Sequence, residues 1–148
     1  MKKLIIIFLT AIIISGCESK SEKVTFTCNY NYSLEFYDVN SSVLIYTKDN
    51  NSMSKYTNSD VYNAKWDDVN SDKMLESLEN KKNDFKTSFD TTEYDITTKG
   101  KDIYQTISIN MTDDNVNNFD ESLLDSGKVS VNKYVNYLIS NGYNCTKK

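Results

Sequence analysis

The sequence predicts an α+β domain: an antiparallel sheet of about five strands with a central helix and C-terminal helices, in the order β-ββ-α-ββ-α-α. Three observations carry this. Apolar and polar residues alternate strictly from Val24 to Phe36, and Ile103, Gln105, Ile107, Ile109 and Met111 share one face further on, the period of a half-buried strand. Between these stretches, Met74, Leu75, Leu78, Phe85 and Phe89 recur at helical spacing. A capped helical pattern follows near the C-terminus, so helices alternate with hairpins rather than with single parallel strands.

In chain order, Val24, Phe26, Cys28, Tyr30, Tyr32, Leu34 and Phe36 face one side and Thr25, Thr27, Asn29, Asn31, Ser33 and Glu35 the other. Thirteen residues in one phase make one long strand or two with a kink. Asp38 to Ser42 interrupts the pattern, and Val43–Lys48 and Met53–Asn63 form the next two strands around the turn residues Asp49-Asn50-Asn51-Ser52. The central helix starts near Asn70, an N-cap type, with Asp72 in its first turn and Val69 placed to staple onto Met74. Lys81 and Lys82 interrupt its apolar face. Thr91–Thr98 and Ile103–Met111 make a second hairpin around Lys99-Gly100-Lys101-Asp102, with Ile103, Gln105, Ile107, Ile109 and Met111 on one face. Asp113–Asp125 is acidic with scattered apolar residues and predicts a short helix. Ser130 caps a final helix carrying Val131, Tyr134, Val135 and Leu138, with Val129 as staple and Asn141-Gly142 as its stop.

The first residues read differently. Lys2-Lys3, the apolar run Leu4–Ile14 and Ser15-Gly16-Cys17 form the charged, apolar and small-residue parts of a secretory signal. The apolar run falls short of the roughly 20 residues that span a bilayer. Ile14-Ser15-Gly16-Cys17 resembles the lipobox of bacterial lipoproteins. That resemblance implies cleavage after Gly16, an S-diacylglycerol group on the Cys17 thiol and a further acyl chain on its new amine. Two or three acyl chains anchor a protein stably where one does not. Residues 1–16 are then a signal peptide, 17–23 the lipidated cysteine and a polar tether, and 24–148 one domain.

Removing 16 of 148 residues leaves 132, enough for one domain with a real core. Losing Lys2 and Lys3 takes the net charge from −4 to −6, which argues against nucleic acid as a partner. Three cysteines are present. With Cys17 assigned to lipid, Cys28 and Cys145 remain, and an oxidising exterior favours a disulfide between them over two independent thiols. Such a bond brings the tail Gly142-Tyr143-Asn144-Cys145 back to the first strand.

The catalytic inventory is thin. The chain has no histidine, so imidazole-based catalysis is excluded, and Cys28 and Cys145 lack an imidazole partner. Two distant cysteines do not make a zinc site. Asp113, Asn115 and Asn117 alternate like the first ligands of a calcium loop, but Asn118 and Leu124 stand where glycine and glutamate are required. Asp67-Asp68 and Asp120-Glu121 are paired carboxylates whose expected role is surface charge. Trp66 and the tyrosines offer stacking surfaces for sugars or peptides, although most tyrosines are expected to pack the sheet.

The element order, with a cysteine in Thr25-Phe26-Thr27-Cys28 and an ending in Gly142-Tyr143-Asn144-Cys145, resembles the YehR-like small lipoproteins, a group of unknown function. Ser59-Asp60-Val61-Tyr62 is in turn similar to a loop of membrane-bound lysozyme inhibitors, with Asp60 where that family has glycine. The expectation is a membrane-anchored, non-enzymatic binding or interaction domain without cofactor or metal, on the extracytoplasmic face of a bacterial membrane. Its partner would be an extracytoplasmic protein or a small ligand. The alternative is an acidic inhibitor of a lysozyme-type hydrolase.

Overall fold

The computed structural model describes residues 22–49, 51–90 and 93–148; residues 1–16, expected to be a signal peptide, and Cys17 lie outside them. The coarse reading holds: an antiparallel sheet carries helices on one face. The order is β1 (Lys23–Ser33), β2 (Tyr37–Thr47), β3 (Met53–Ala64), α1 (Asp72–Ser88), β4 (Glu93–Lys99), β5 (Asp102–Asn110) and α2 (Asp113–Val116), then a 3-10 turn (Glu121–Leu123), β6 (Leu124–Asp125), β7 (Lys128–Val129), α3 (Val131–Ser140) and β8 (Asn144–Lys147). Six strands form one sheet in the order β4-β5-β3-β2-β1-β8, while β6 and β7 pair apart as a small hairpin.

Three details correct the expected order and the count of about five strands. The tail beyond Gly142 is itself a strand: β8 pairs antiparallel with β1, Cys145 directly opposite Cys28. Four residues are too few for a period to show. A hairpin, β6-β7, occupies the end of the segment expected to be helical, leaving only the four-residue α2 and the 3-10 turn there. Finally, β2 starts at Tyr37 rather than Val43, since the chain turns at Leu34–Phe36, where the Leu34 amide donates to the Tyr37 carbonyl at 2.7 Å. Tyr37, Val39, Ser41, Val43, Ile45 and Thr47 are all buried on one face of β2. Ser41, a small polar residue in an apolar phase, is what conceals that strand in the sequence.

The local signals act largely where expected. The N-cap of α1 is Ser71 rather than Asn70, and its side chain makes no cap bond; Asn70 Oδ1, one residue earlier, accepts from the Asp72 amide at 2.9 Å and relieves one of the free N–H groups that open the helix. Val69 packs in the same cluster as Met74, and Val129 in the same cluster as Tyr134. Gly142 has φ +91°, and a Cβ there would sit 3.0 Å from the Tyr30 ring, so glycine lets the chain leave α3 and close onto β1.

The core has two halves. Under α3, Val131, Tyr134, Val135 and Leu138 cover Cys28, Val43 and Ile45. Under α1, Leu78 meets Tyr37, Val39, Tyr62 and Ile103, with Met74 and Leu75 packed against them. Full burial of each aliphatic side chain contributes about 1.5–3 kcal/mol, and Ile45, Leu78, Ile103 and Ile109 are essentially inaccessible to solvent.

Candidate functional site: a polar cleft between the central helix and the sheet

The two apolar halves do not meet. Strand register places Tyr30 opposite Ser41, Ser41 opposite Asp60, and Asp60 opposite Gln105. These four residues form a polar row across β1, β2, β3 and β5. On one side lie Val43 and Cys28 of the α3 half; on the other lie Val39 and Tyr62 of the α1 half. Neighbours reinforce the row. Asn58 Nδ2 donates to Asp60 Oδ2 at 3.0 Å, and Ser41 Oγ donates to Asn58 Oδ1 at 3.2 Å. Ser41 Oγ and Tyr143 Oη lie 3.0 Å apart. Tyr62 Oη donates to Gln105 Oε1 at 3.3 Å, while Gln105 Nε2 bonds Tyr94 Oη.

Above the row the surface opens into a cleft of about 510 Å³. Its floor and sheet-side wall come from Tyr32, Asp60, Tyr62, Tyr94, Gln105 and Ile107; α1 contributes Lys81, Asp84, Phe85 and Ser88. Phe85 and Tyr94 meet edge to face at 5.7 Å, which joins the helix wall to the sheet wall. Phe119 links Phe89 with Tyr56 and Tyr134, so an aromatic chain runs on from that wall to α3. Asp60, Tyr62, Phe85, Tyr94 and Gln105 are therefore each held by a neighbour.

Burial sets the electrostatics. Loss of solvent pushes the Asp60 carboxyl above the usual aspartate value, and the nearby Ser41 hydroxyl and Asn58 amide, with Lys81 at longer range, offset part of that push. Burial raises Tyr32, Tyr62 and Tyr94 as well, with the negative charge of Asp60 acting in the same direction. All three remain neutral phenols at pH 7. An acid whose pKa is raised by folding favours the folded state most when protonated. Its contribution falls as pH rises from the ordinary value of about 3.8 through the folded value. Asp60→Asn is therefore expected to melt higher than the native protein at pH 7, with the gap closing toward pH 4. Melting curves across that range check it, and an Asn variant less stable at pH 7 than at pH 4, relative to native, would contradict the assigned cause.

The residues singled out in the sequence mostly lie elsewhere. Cys28 and Cys145 are joined, with an S–S distance of 2.06 Å. Asn115, from the calcium-like spacing, is fully buried and holds backbone groups of Asp90 and Asn110. Asp67 and Asp68 are exposed, and Asp120 Oδ1 accepts from the Ser122 amide at 2.8 Å to cap the 3-10 turn. Trp66 is exposed, meeting Phe36 edge to face, whereas Tyr37, Tyr62, Tyr94 and Tyr134 are buried. Ser59-Asp60-Val61-Tyr62 is no loop: it lies inside β3, paired on both sides. Among the described residues no helix is long and apolar enough to cross a membrane.

The cleft residues were missed as a site. One signal was available: Gln105 interrupts the isoleucine face of β5, and Asp60 shares the phase of Tyr56 and Tyr62 on β3. A polar side chain in an apolar phase marks either a bonded core group or a site. Only the neighbouring strands distinguish the two.

This defines the class: an antiparallel sheet, two helices over separate halves of its core, and a polar cleft between the first of them and the sheet. No family model, curated protein or solved structure matches the chain.

Proposed function

We propose that this chain is a lipid-anchored binding protein of the extracytoplasmic face of a bacterial membrane, and that the cleft between α1 and the sheet receives a small ligand without transforming it. The observation that carries the reading is the polar row itself. Asp60 and Gln105 occupy core-facing positions where apolar side chains would add stability, and they line an open cleft instead of filling one. Pockets that combine aromatic walls with a few placed polar groups are the usual form of small-molecule sites. The lipid anchor rests on the signal sequence and Ile14-Ser15-Gly16-Cys17. The binding role also accords with a chain that has no histidine to serve as general base.

Two measurements test the reading. Cys17→Ala is expected to move the protein from the membrane fraction to the soluble or unprocessed pool; unchanged membrane attachment with normal cleavage would remove the lipid anchor. For the cleft, a saturable ligand should shift Tyr32, Tyr62 and Tyr94 resonances in the full chain while leaving those of the β6-β7 hairpin in place.

A further inference from the structure

Taking the cleft as a binding site, we infer that its ligand is an organic ammonium cation, with the positive nitrogen seated over the carboxylate of Asp60 and between the rings of Tyr32, Tyr62 and Tyr94.

The argument starts from an imbalance. Asp60 is the only acid among the described strand residues facing the helices, and it lies at the floor of the cleft. Its hydrogen-bond donor, the Asn58 amide, is neutral. Among the described residues the ion pairs are Lys65–Asp38, Lys82–Glu79 and Lys133–Asp125, so Asp60 has no cation within ion-pair distance. A half-buried carboxylate without a counter-ion is unfavourable; proteins pair such a group, hydrogen-bond it or let it take up a proton, and a cation arriving from outside would supply the pairing here. The surroundings specify that partner. Tyrosine and phenylalanine rings carry a negative face, and a desolvated ammonium group held among several of them is favoured. Tyr32, Tyr62, Tyr94 and Phe85 supply four such rings in one cleft. Asp84 at the α1 side adds a second carboxylate near the mouth. An anion would meet both carboxylates, and a neutral ligand would leave Asp60 uncompensated.

Lys81 supplies a built-in control. It lines the same cleft, and its charge acts on Asp60 from a distance. It therefore opposes an incoming cation, so its removal should strengthen cation binding where loss of Asp60 weakens it. A purely architectural role for Asp60 gives no such opposite pair.

The test uses the full chain in a non-ionic detergent, with choline as the cation and 3,3-dimethylbutan-1-ol, its uncharged carbon isostere, as the matched control. Binding is followed by tyrosine ring resonances. The expected result is saturable binding of choline at least ten-fold tighter than the isostere. Asp60→Asn should weaken choline ten-fold or more, and Lys81→Met should tighten it two- to five-fold. Lys81 projects from α1, so that variant stays informative if Asp60→Asn misfolds. Equal or tighter binding of the isostere would overturn the cation assignment and leave the cleft as a site for neutral ligands. Choline binding that ignores both substitutions would also overturn it. If neither probe moves the tyrosine resonances, the cation assignment falls. If, in addition, no compound of a wider neutral and anionic panel does so, the binding reading of the cleft falls with it.

Discussion

Replacing Cys28 and Cys145 together by alanine is expected to lower the unfolding free energy by about 5 kcal/mol, the largest effect of any change short of gutting the core. The two cysteines are 117 residues apart in sequence, so their bond closes almost the whole described chain into one loop. In the chain-entropy model, a loop of that length removes about 5 kcal/mol of unfolded-state freedom. A domain of this size has a total stability of only about 5–15 kcal/mol, so the open form should be marginal at 37 °C. The bond acts locally too. β8 is four residues long and lies at the sheet edge, paired only with β1. Without the disulfide, its four-residue ladder, Tyr143 and the Lys148 amide on the Thr25 carbonyl remain to hold it. Urea denaturation with and without reductant measures this directly. The m-value should rise when the bond is absent, because the unfolded chain then exposes more surface. A loss below about 1 kcal/mol, or an unchanged m-value, would show that the closed loop does not carry the stabilisation.

Asn115→Ala is the second large effect, about 3–5 kcal/mol. The Asn115 side chain is wholly buried, yet it makes three bonds to main-chain groups. Nδ2 donates to the carbonyls of Asp90 and Asn110, both at 2.8 Å, and Oδ1 accepts from the Asp90 amide at 2.8 Å. It thus ties α2 to the end of β5 and to the chain leaving α1. Alanine removes all three bonds and leaves the Asp90 amide and carbonyl without their partner, while the Asn110 carbonyl keeps the Thr112 amide at 3.0 Å; each group that water cannot reach costs about 1–3 kcal/mol. Asn115→Asp keeps the shape and the acceptor for the Asp90 amide, but its second oxygen faces two carbonyls, so it should be destabilised as well and recover partly in acid. Amide exchange at Asp90 provides a local readout, since that proton should lose protection before the rest of the sheet does. If Asn115→Ala costs under about 1 kcal/mol, water has entered and replaced the bracket.

Asn115 also shows how a spacing misleads. Asp113, Asn115 and Asn117 alternate as oxygen ligands would, yet Asn115 points inward to backbone and Asp113 starts a four-residue helix. The alternation arises from one turn of helix capped by Thr112, whose side chain accepts from the Asn115 amide at 3.3 Å. Ligand geometry depends on which oxygens converge, and sequence spacing does not report convergence.

What the sequence by itself determined is the local grammar. Alternation along β1 and β5, helical spacing in α1 and α3, Asn70 before α1 and Gly142 after α3 each act through neighbours a few residues away. Pairing of Cys28 with Cys145 also came from the sequence, through parity rather than geometry. The tertiary structure decided the rest. Ser41 is 19 residues from Asp60, and Asp60 is 45 from Gln105, yet register sets them side by side. Register depends on how whole strands pack, because a one-residue slip exchanges the two faces of a sheet. Local pattern can say that Asp60 and Gln105 are polar residues in an apolar phase. Only the packing of five separate elements makes them the floor of one cleft.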